Sequence, residues 1–260
     1  MPTRPHLSLP SLIPLLLACT ALLALTAYLL GGFPTGRIKA APYNDTSADI
    51  PTEGIENPSP ICCVAIDPGH GGEDGGTSSA AGVLEKDLNL SVALALRDLL
   101  EAAGIPVVMT RTEDKLLYDR NVDFQGRKKV LDLAARRIVA EKTAAAATES
   151  GGTSLFISIH MNAFPQPQYS GMQVWYGTGD PLSAEVAGAI QAASLAVMPE
   201  NHRKIKAAGS NIYLLDRIQS PAVLVECGFL SNPAEAERLA REDYQRAVAA
   251  VVFAGTMGRR

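Results

Sequence analysis

Four residues that could do chemistry stand far apart in this sequence but in similar local settings: His70, Glu85, His160 and Glu226. The two histidines and Glu226 each end or closely follow an apolar run that is typical of a buried strand. Two imidazoles, one carboxylate and an open fourth position make a catalytic zinc site, and a further carboxylate nearby can act as a general base. Because the spacing is long-range, this hypothesis depends on a fold that brings the four together.

The stretch around His70 reads A-I-D-P-G-H-G-G-E-D-G-G over residues 65–76. Its Asp-Pro-Gly step predicts a turn after a strand, and the glycines that follow let backbone approach a ligand closely or adopt positive φ. Taken alone, the stretch could equally be a surface loop with an incidental histidine. The remainder of the chain decides between these two interpretations.

The elements that must position these residues alternate between strands and helices. This alternation predicts a single α/β domain with a mostly parallel twisted sheet flanked by helices. Apolar residues recur at three- and four-residue spacing from Glu85 to Ala103, which predicts a helix that Gly104 ends. Glu85 then lies in the first helical turn, where it either complements the helix dipole or points back toward His70 as a ligand.

Later segments extend the same pattern. A helix is predicted over 128–147, with Arg136 and Arg137 assigned to its solvated face. Strands are predicted over 105–110, 155–163, 171–176, 212–215 and 222–225. Glu226 follows the last strand, and a carboxylate there is costly unless it is paired or bound, which favours a functional role. In a parallel sheet the carboxyl ends of the strands share one edge, where ligands bind.

Composition excludes some partners. The 260-residue chain has a formal net charge of −4, and all 27 acidic residues lie after residue 40. Such an acidic domain does not suit binding to a phosphate backbone, so nucleic acid is not expected as a partner. The four cysteines, Cys19, Cys62, Cys63 and Cys227, show no paired spacing and are expected to be free thiols.

The N-terminal region differs from the rest. Residues Leu12–Leu30 form an uncharged run of 19 residues, close to the ~20 that a transmembrane helix needs. We therefore expect residues 1–31 to be a membrane anchor or signal segment, with the uncleaved anchor favoured, followed by a linker over 32–60 and a catalytic domain over 61–260. Basic residues flank the run on both sides, so charge does not settle its orientation. In either case the domain is expected to be exported or to face a membrane.

From about residue 62 to 257 the chain resembles the zinc-dependent N-acetylmuramoyl-L-alanine amidases. Five motifs carry the resemblance, in order: D-P-G-H-G-G (67–72), G-V-L-E-K-D (82–87), S-I-H-M-N-A (158–163), S-N-I-Y-L-L (210–215) and V-E-C-G-F-L-S-N (225–232). The resemblance implies that His70, Glu85 and His160 bind Zn²⁺ and that Glu226 is the catalytic carboxylate. Asn162 is a candidate for binding the substrate peptide, and Arg111 for pairing with a substrate carboxylate or with Asp67.

The single anchor and single domain look like the sporulation- and germination-specific subgroup of that family. This implies a peptidoglycan substrate, and a muramic acid deacetylase that acts after peptide removal to form muramic δ-lactam in spore cortex. Two alternatives stay open on the sequence: a non-catalytic peptidoglycan-binding or activator protein, and a zinc peptidase that cleaves between amino acids of wall peptides.

Overall fold

A computed structural model describes residues 61–118, 121 and 126–258 of the chain. In this part of the chain the elements run in the order β1 (Ile61–Pro68), α1 (Glu85–Ala102), β2 (Val107–Met109), α2 (Lys128–Glu149), β3 (Thr153–Asn162), β4 (Gln173–Tyr176), α3 (Leu182–Ala193), β5 (Lys206–Ala207), α4 (Tyr213–Arg217), β6 (Ala222–Phe229), α5 (Pro233–Leu239) and α6 (Glu242–Met257). The predicted alternation of strands and helices is confirmed.

The six strands form one sheet in the order β2-β1-β3-β6-β4-β5. β1 pairs in parallel with β2 and β3, and β3 pairs in parallel with β6. β4 runs antiparallel to β6 and carries the short β5 beside it in parallel. The sheet is therefore mostly parallel, as the sequence predicts, and the carboxyl ends of β1, β3 and β6 meet at one edge.

Each face of the sheet is covered by helices. On one face Ile66, Ile157 and Val225 lie in the larger core with residues of α1, α3 and α6. On the other face Ala65, Phe156 and Leu224 pack with residues of α2 and α4. Because side chains alternate along a strand, the second face continues into polar positions at the edge. Those positions are Asp67 on β1, Ser158 and His160 on β3, and Glu226 on β6.

Two predictions about local structure are wrong. Residues 212–215 do not form a strand: Tyr213–Arg217 is a helix, and the amide of Asp216 donates to the carbonyl of Ile212. A short apolar run is ambiguous between the two structures, and here its consecutive leucines are both buried in the core beside α2. Arg136 is not solvated either, since its side chain is only 2% exposed.

The predicted anchor segment 1–31 and linker 32–60 lie outside the described residues. Within residues 61–258, apart from the gaps stated above, none of the helices combines the length and the hydropathy that a membrane crossing requires. Cys62, Cys63 and Cys227 are free thiols, as expected from their spacing.

Candidate active site

A cavity of ≈ 260 Å³ opens at the carboxyl edge of the sheet, on the face covered by α2. Its lining includes the predicted residues His70, His160 and Glu226. A larger groove of ≈ 560 Å³ lies between α1 and α6, but neither histidine nor cysteine lines it. The chemistry therefore belongs to the smaller cavity.

His70 is held in an uncommon backbone conformation just beyond β1. Its φ is 61°, in the left-handed region that side chains other than glycine seldom adopt. The loop is fixed by reciprocal hydrogen bonds between the backbones of Gly71 and Asp74, at 2.9 and 3.0 Å. The His70 carbonyl also accepts a 2.6 Å bond from Arg136 Nη2. Such strain persists only where the surroundings determine the conformation, and it is common at functional sites.

Two glycines of this loop leave room for the site's own side chains. A Cβ on Gly69 would come within 2.2 Å of the His160 ring. A Cβ on Gly76 would come within 2.5 Å of Glu85 Oε2 and 2.8 Å of the His70 ring. The glycine-rich sequence therefore lets the loop approach the functional residues closely.

Glu85 begins α1 and points back into the site. Its Oε1 atom lies 3.3 Å from His70 Nε2 and 3.0 Å from His160 Nδ1. Backbone amides also donate to the carboxylate, Thr77 to Oε2 at 2.8 Å and Met161 to Oε1 at 3.1 Å, while Asn89 Nδ2 lies 3.3 Å from Oε1. Burial alone would raise the pKa of Glu85, but its contacts with the two histidines hold that pKa well below the usual value.

The three side chains form a possible metal site. One ligand atom from each of His70, Glu85 and His160 lies within 4.8 Å of the other two. Two imidazole nitrogens and a carboxylate oxygen are a donor set that catalytic metal sites use, with positions left open for water or substrate. The residues present therefore fit a metal ion, and the expected folding-back of Glu85 is what the structure shows.

Asp74 adds a second contact to His70 that sequence reasoning missed. Its Oδ1 lies 2.9 Å from His70 Nδ1, the ring nitrogen on the opposite side from Glu85. Lys129 Nζ lies 3.7 Å from the other Asp74 oxygen. Carboxylates in this position commonly fix the ring orientation of a metal-binding histidine. Asp74 follows His70 by four residues, but both lie in a loop, where hydrophobic periodicity does not predict which side chains meet.

Glu226 lies next to the possible metal site but is not one of its three residues. It pairs in register with His160 on β3 and with Gln173 on β4. Its Oε2 atom is buried and has no hydrogen-bond partner among the described residues. Burial, with a smaller repulsion from Glu85, raises the pKa of Glu226 to about 7, although the two histidines partly offset this. A carboxyl group with such a pKa can both accept and donate a proton near neutral pH.

Two buried arginines support the loop from below. Arg111 donates to the carbonyls of Pro68, Gly69, Lys86 and Glu113. Arg136 donates to the carbonyls of Pro68 and His70 and forms a 2.7 Å ion pair with Asp67. Both arginine residues are at most 2% exposed. Arg111 is thus engaged with backbone, and the arginine hydrogen-bonded to Asp67 is Arg136.

The buried carboxylate of Asp67 binds Arg136 and two hydroxyl groups beneath the loop. Thr110 and Ser158 hydroxyls donate to its carboxylate at 2.7 Å each, in addition to Arg136. Burial would raise the pKa of Asp67, but Arg136 and the two hydroxyls hold it below the usual value. Arg136 itself also pairs with Asp132 one turn earlier on α2. That four-residue spacing is the signal that could have marked Arg136 as an inward-facing residue.

Asn162 ends β3 and is partly exposed at the same edge as His160. Its backbone carbonyl accepts a hydrogen bond of 2.8 Å from the backbone amide of Leu230. Its side chain remains a predicted substrate contact.

Comparison with known proteins agrees with this geometry. A family profile described as N-acetylmuramoyl-L-alanine amidase matches residues 64–256. The germination-specific N-acetylmuramoyl-L-alanine amidase of Bacillus subtilis (strain 168) is 37% identical over 194 residues, which cover 75% of this chain and 78% of that protein. The profile match spans all four candidate residues of the site.

Solved structures show the same fold. The CwlD amidase from Clostridioides difficile, determined in complex with the GerS lipoprotein, has a TM-score of 0.67 and 35% identity over 74% of this chain and 95% of that one. The amidase AmiC2 of Nostoc punctiforme has a TM-score of 0.60 and 29% identity over 77% and 97% of the two chains.

Proposed function

We propose that this chain, which belongs to the N-acetylmuramoyl-L-alanine amidase family, hydrolyses the amide bond between the lactyl group of N-acetylmuramic acid and L-alanine in peptidoglycan. The observation that carries the proposal is the convergence of His70, Glu85 and His160 beside a second carboxylate, Glu226. A binding protein would need no such group, because a buried carboxylate with a raised pKa is costly to keep.

We propose Zn²⁺ as the metal, held by His70, Glu85 and His160. The donor set of two nitrogens and one oxygen supports zinc, because imidazole suits this ion and three protein ligands leave a position open. When bound, the ion would polarise the amide carbonyl and make water a stronger nucleophile near neutral pH.

The chain's own residues then move the proton. Glu226 takes the proton from the attacking water as the oxygen bonds to the lactyl carbonyl carbon. It then gives that proton to the L-alanine nitrogen as the carbon–nitrogen bond breaks, leaving a free carboxylic acid and a free amine.

The buried arginines contribute by holding the loop. Arg111 and Arg136 both donate to the carbonyl of Pro68, two residues before His70. They keep the histidine in its left-handed backbone conformation, so the ligand nitrogen is in place before metal arrives.

We also propose that the enzyme acts in spore cortex and is exported. The name of the germination-specific relative supports the cortex role, and the uncharged run Leu12–Leu30 supports a membrane anchor that leaves the domain facing the wall. A muramic acid deacetylase acting on the stripped glycan is the expected partner. The lipoprotein bound to the Clostridioides difficile neighbour supports a protein partner for this chain as well.

The test compares the full chain with Glu226→Gln on purified muropeptides, with zinc content measured for both proteins. We expect the substitution to lower kcat by roughly 10²–10⁴-fold, the usual contribution of a general acid–base group. Zinc content should stay at the wild-type level, because Glu226 is not among the three converging ligands. Asp98→Asn, an equal change of charge on the exposed surface of α1, is the matched control.

Mass spectrometry of the products identifies the bond that is cleaved. The amidase releases intact glycan and peptides with a free L-alanine amine, whereas a peptidase would leave L-alanine on the muramic acid. Equal product release by wild type and Glu226→Gln would contradict the assigned role of Glu226. Zinc content near zero together with no product would indicate the non-catalytic alternative.

A further inference from the structure

We propose that Arg203, stacked on Phe229 beside the exposed rings of Phe164 and Tyr169, binds a carboxylate of the peptide that is released with L-alanine. We call these four residues the arginine–aromatic platform. The inference rests on the proposed function, because it names the part of the same substrate that this surface recognises.

The platform lies at the edge of the sheet that carries the active site. Phe164 follows His160 by four residues, and Phe229 follows Glu226 by three. At about 3.3 Å per residue, each ring is anchored within roughly 10–15 Å of the corresponding site residue. A peptide extending from the scissile bond covers that distance in three or four residues.

The segment that carries Arg203 is attached to the strand beside Glu226. Gln173 pairs directly with Glu226, and residues opposite each other in antiparallel strands share a face. The side-chain amide of Gln173 donates to the carbonyl of Lys204, the residue after Arg203. The segment that carries Arg203 is therefore tied to the neighbour of the catalytic carboxylate.

The platform is held in place by its neighbours. The Arg203 guanidinium carbon lies 4.2 Å from the centre of the Phe229 ring and 5.9 Å from that of Tyr169. Arg203 Nε donates to the carbonyl of Ser170 at 2.6 Å. Tyr169 and Phe164 meet edge to face, with ring centres 4.9 Å apart. Stacking uses the flat face of the guanidinium and leaves its in-plane N–H groups available for a carboxylate.

A buried glutamate fixes the backbone beneath these rings. Glu235 accepts from the amide of Gly171 at 3.0 Å and from that of Phe229 at 2.8 Å. Asn201 Oδ1 accepts from the backbone amide of Arg203 at 3.2 Å. The platform is thus preorganised, which lowers the entropy that a ligand loses on binding.

Charge indicates the ligand. Within the described residues no carboxylate oxygen lies within ion-pair distance of Arg203. Glu235 is an anion near Arg203, but its two oxygens accept backbone amides and one lies 3.6 Å from Arg238 Nη2. The Nη groups of Arg203 can therefore receive a carboxylate from outside the chain. The lactyl carboxyl of muramic acid is consumed in the scissile amide, so the substrate's free carboxylates lie on its peptide. The exposed rings, 48% and 41% accessible at Phe164 and Tyr169, offer an apolar wall for that peptide.

The experiment uses two muropeptides that differ only in the stem carboxylates, which are free in one and amidated in the other. The full-length enzyme should show a kcat/KM about tenfold higher for the free acid, expressed mainly in KM, as expected for one charge-assisted contact. Arg203→Gln should reduce this preference to about onefold, with the loss appearing as a raised KM for the free acid. Arg203→Lys, which keeps the charge but not the planar fork, should restore part of it.

Arg246→Gln on α6 is the control, because it removes an equal charge at an exposed position paired with Glu242. A preference that survives unchanged in Arg203→Gln would overturn the inference and leave a purely structural cation–π contact. The same holds if Arg246→Gln abolishes the preference as well, since the effect would then be long-range. If wild type cleaves neither muropeptide, it is the proposed function that fails.

Discussion

The start of α1 and the end of β6 each bring a glutamate to the same edge of the sheet, yet the two carboxylates have opposite surroundings. Glu85 is bonded by two backbone amides and contacts both histidines, so its pKa lies well below the usual value. Glu226 is half-buried, its buried Oε2 atom has no hydrogen-bond partner among the described residues, and its pKa is raised to about 7. The residue type is identical, so the difference comes entirely from the environment.

This difference supports the roles proposed for the two glutamates. A metal ligand must stay ionised and fixed in orientation, which the donors around Glu85 ensure. A group that takes and returns a proton must hold both forms within easy reach of neutral pH, which burial provides at Glu226. Separate environments let one edge of the sheet carry both kinds of carboxylate.

The largest expected effect is on zinc affinity when the charge of each glutamate is removed in turn. Glu85→Gln removes a ligand oxygen charge, so zinc affinity should fall more than 100-fold, beyond the roughly 10–100-fold that loss of an outer partner costs. Glu226→Gln should bind zinc within a few-fold of wild type. Competition with a chromophoric chelator gives both affinities. Equal losses in the two variants would break the distinction drawn here.

Much of this site could be predicted from the sequence because its residues follow general rules of α/β folds. Strand ends at His160 and Glu226 share an edge whenever the strands are parallel, and the helix that starts at Glu85 begins beside that edge. These inferences need only local patterns and the direction of the strands. The mostly parallel sheet follows from the same alternation of elements.

What could not be predicted depends on tertiary contacts. Arg136 resembles a surface residue because it sits next to Arg137 on a polar helix face, and only the fold reveals Asp67 beneath it. The opposite environments of Glu85 and Glu226 are also invisible in the sequence. At Glu85 they depend on an amide of the preceding loop, at Thr77, and on one from the distant strand β3, at Met161.

A smaller effect on zinc affinity is expected at Asp74, which contacts the metal-site residue His70 on the side opposite Glu85. Asp74→Asn keeps the size of the side chain but weakens the contact to His70 Nδ1. Zinc affinity should fall by about 10–100-fold, because the ring loses the group that fixes its orientation. Asp98→Asn, remote on α1, should leave affinity unchanged in the same chelator competition. Wild-type affinity in Asp74→Asn would show that Glu85 alone organises this side of the site.

The smallest effect, measured on metal-free protein, distinguishes the two carboxylates by the sign of their contribution to stability. The pKa of Glu226 is above its ordinary 4.5, so the unfolded chain gives up this proton first. Its ionisation therefore lowers stability progressively from about pH 4.5 to 7, and the penalty stays complete above pH 7. The pKa of Glu85 is lowered, so its contribution is stabilising above pH 4.5 and is lost as the pH falls below that value.

Thermal melts of the metal-free variants should show these opposite signs. Glu226→Gln should gain in Tm relative to wild type as the pH rises from 4.5 to 7, while Glu85→Gln should lose Tm throughout that range. Each kcal/mol corresponds to roughly 2–4 °C for a domain of this size, which scanning calorimetry resolves. Shifts of the same sign in both variants would mean that the two environments do not differ as the hydrogen bonds indicate. Opposite signs would show that the chain prepares a fixed ligand and a proton carrier before any metal binds.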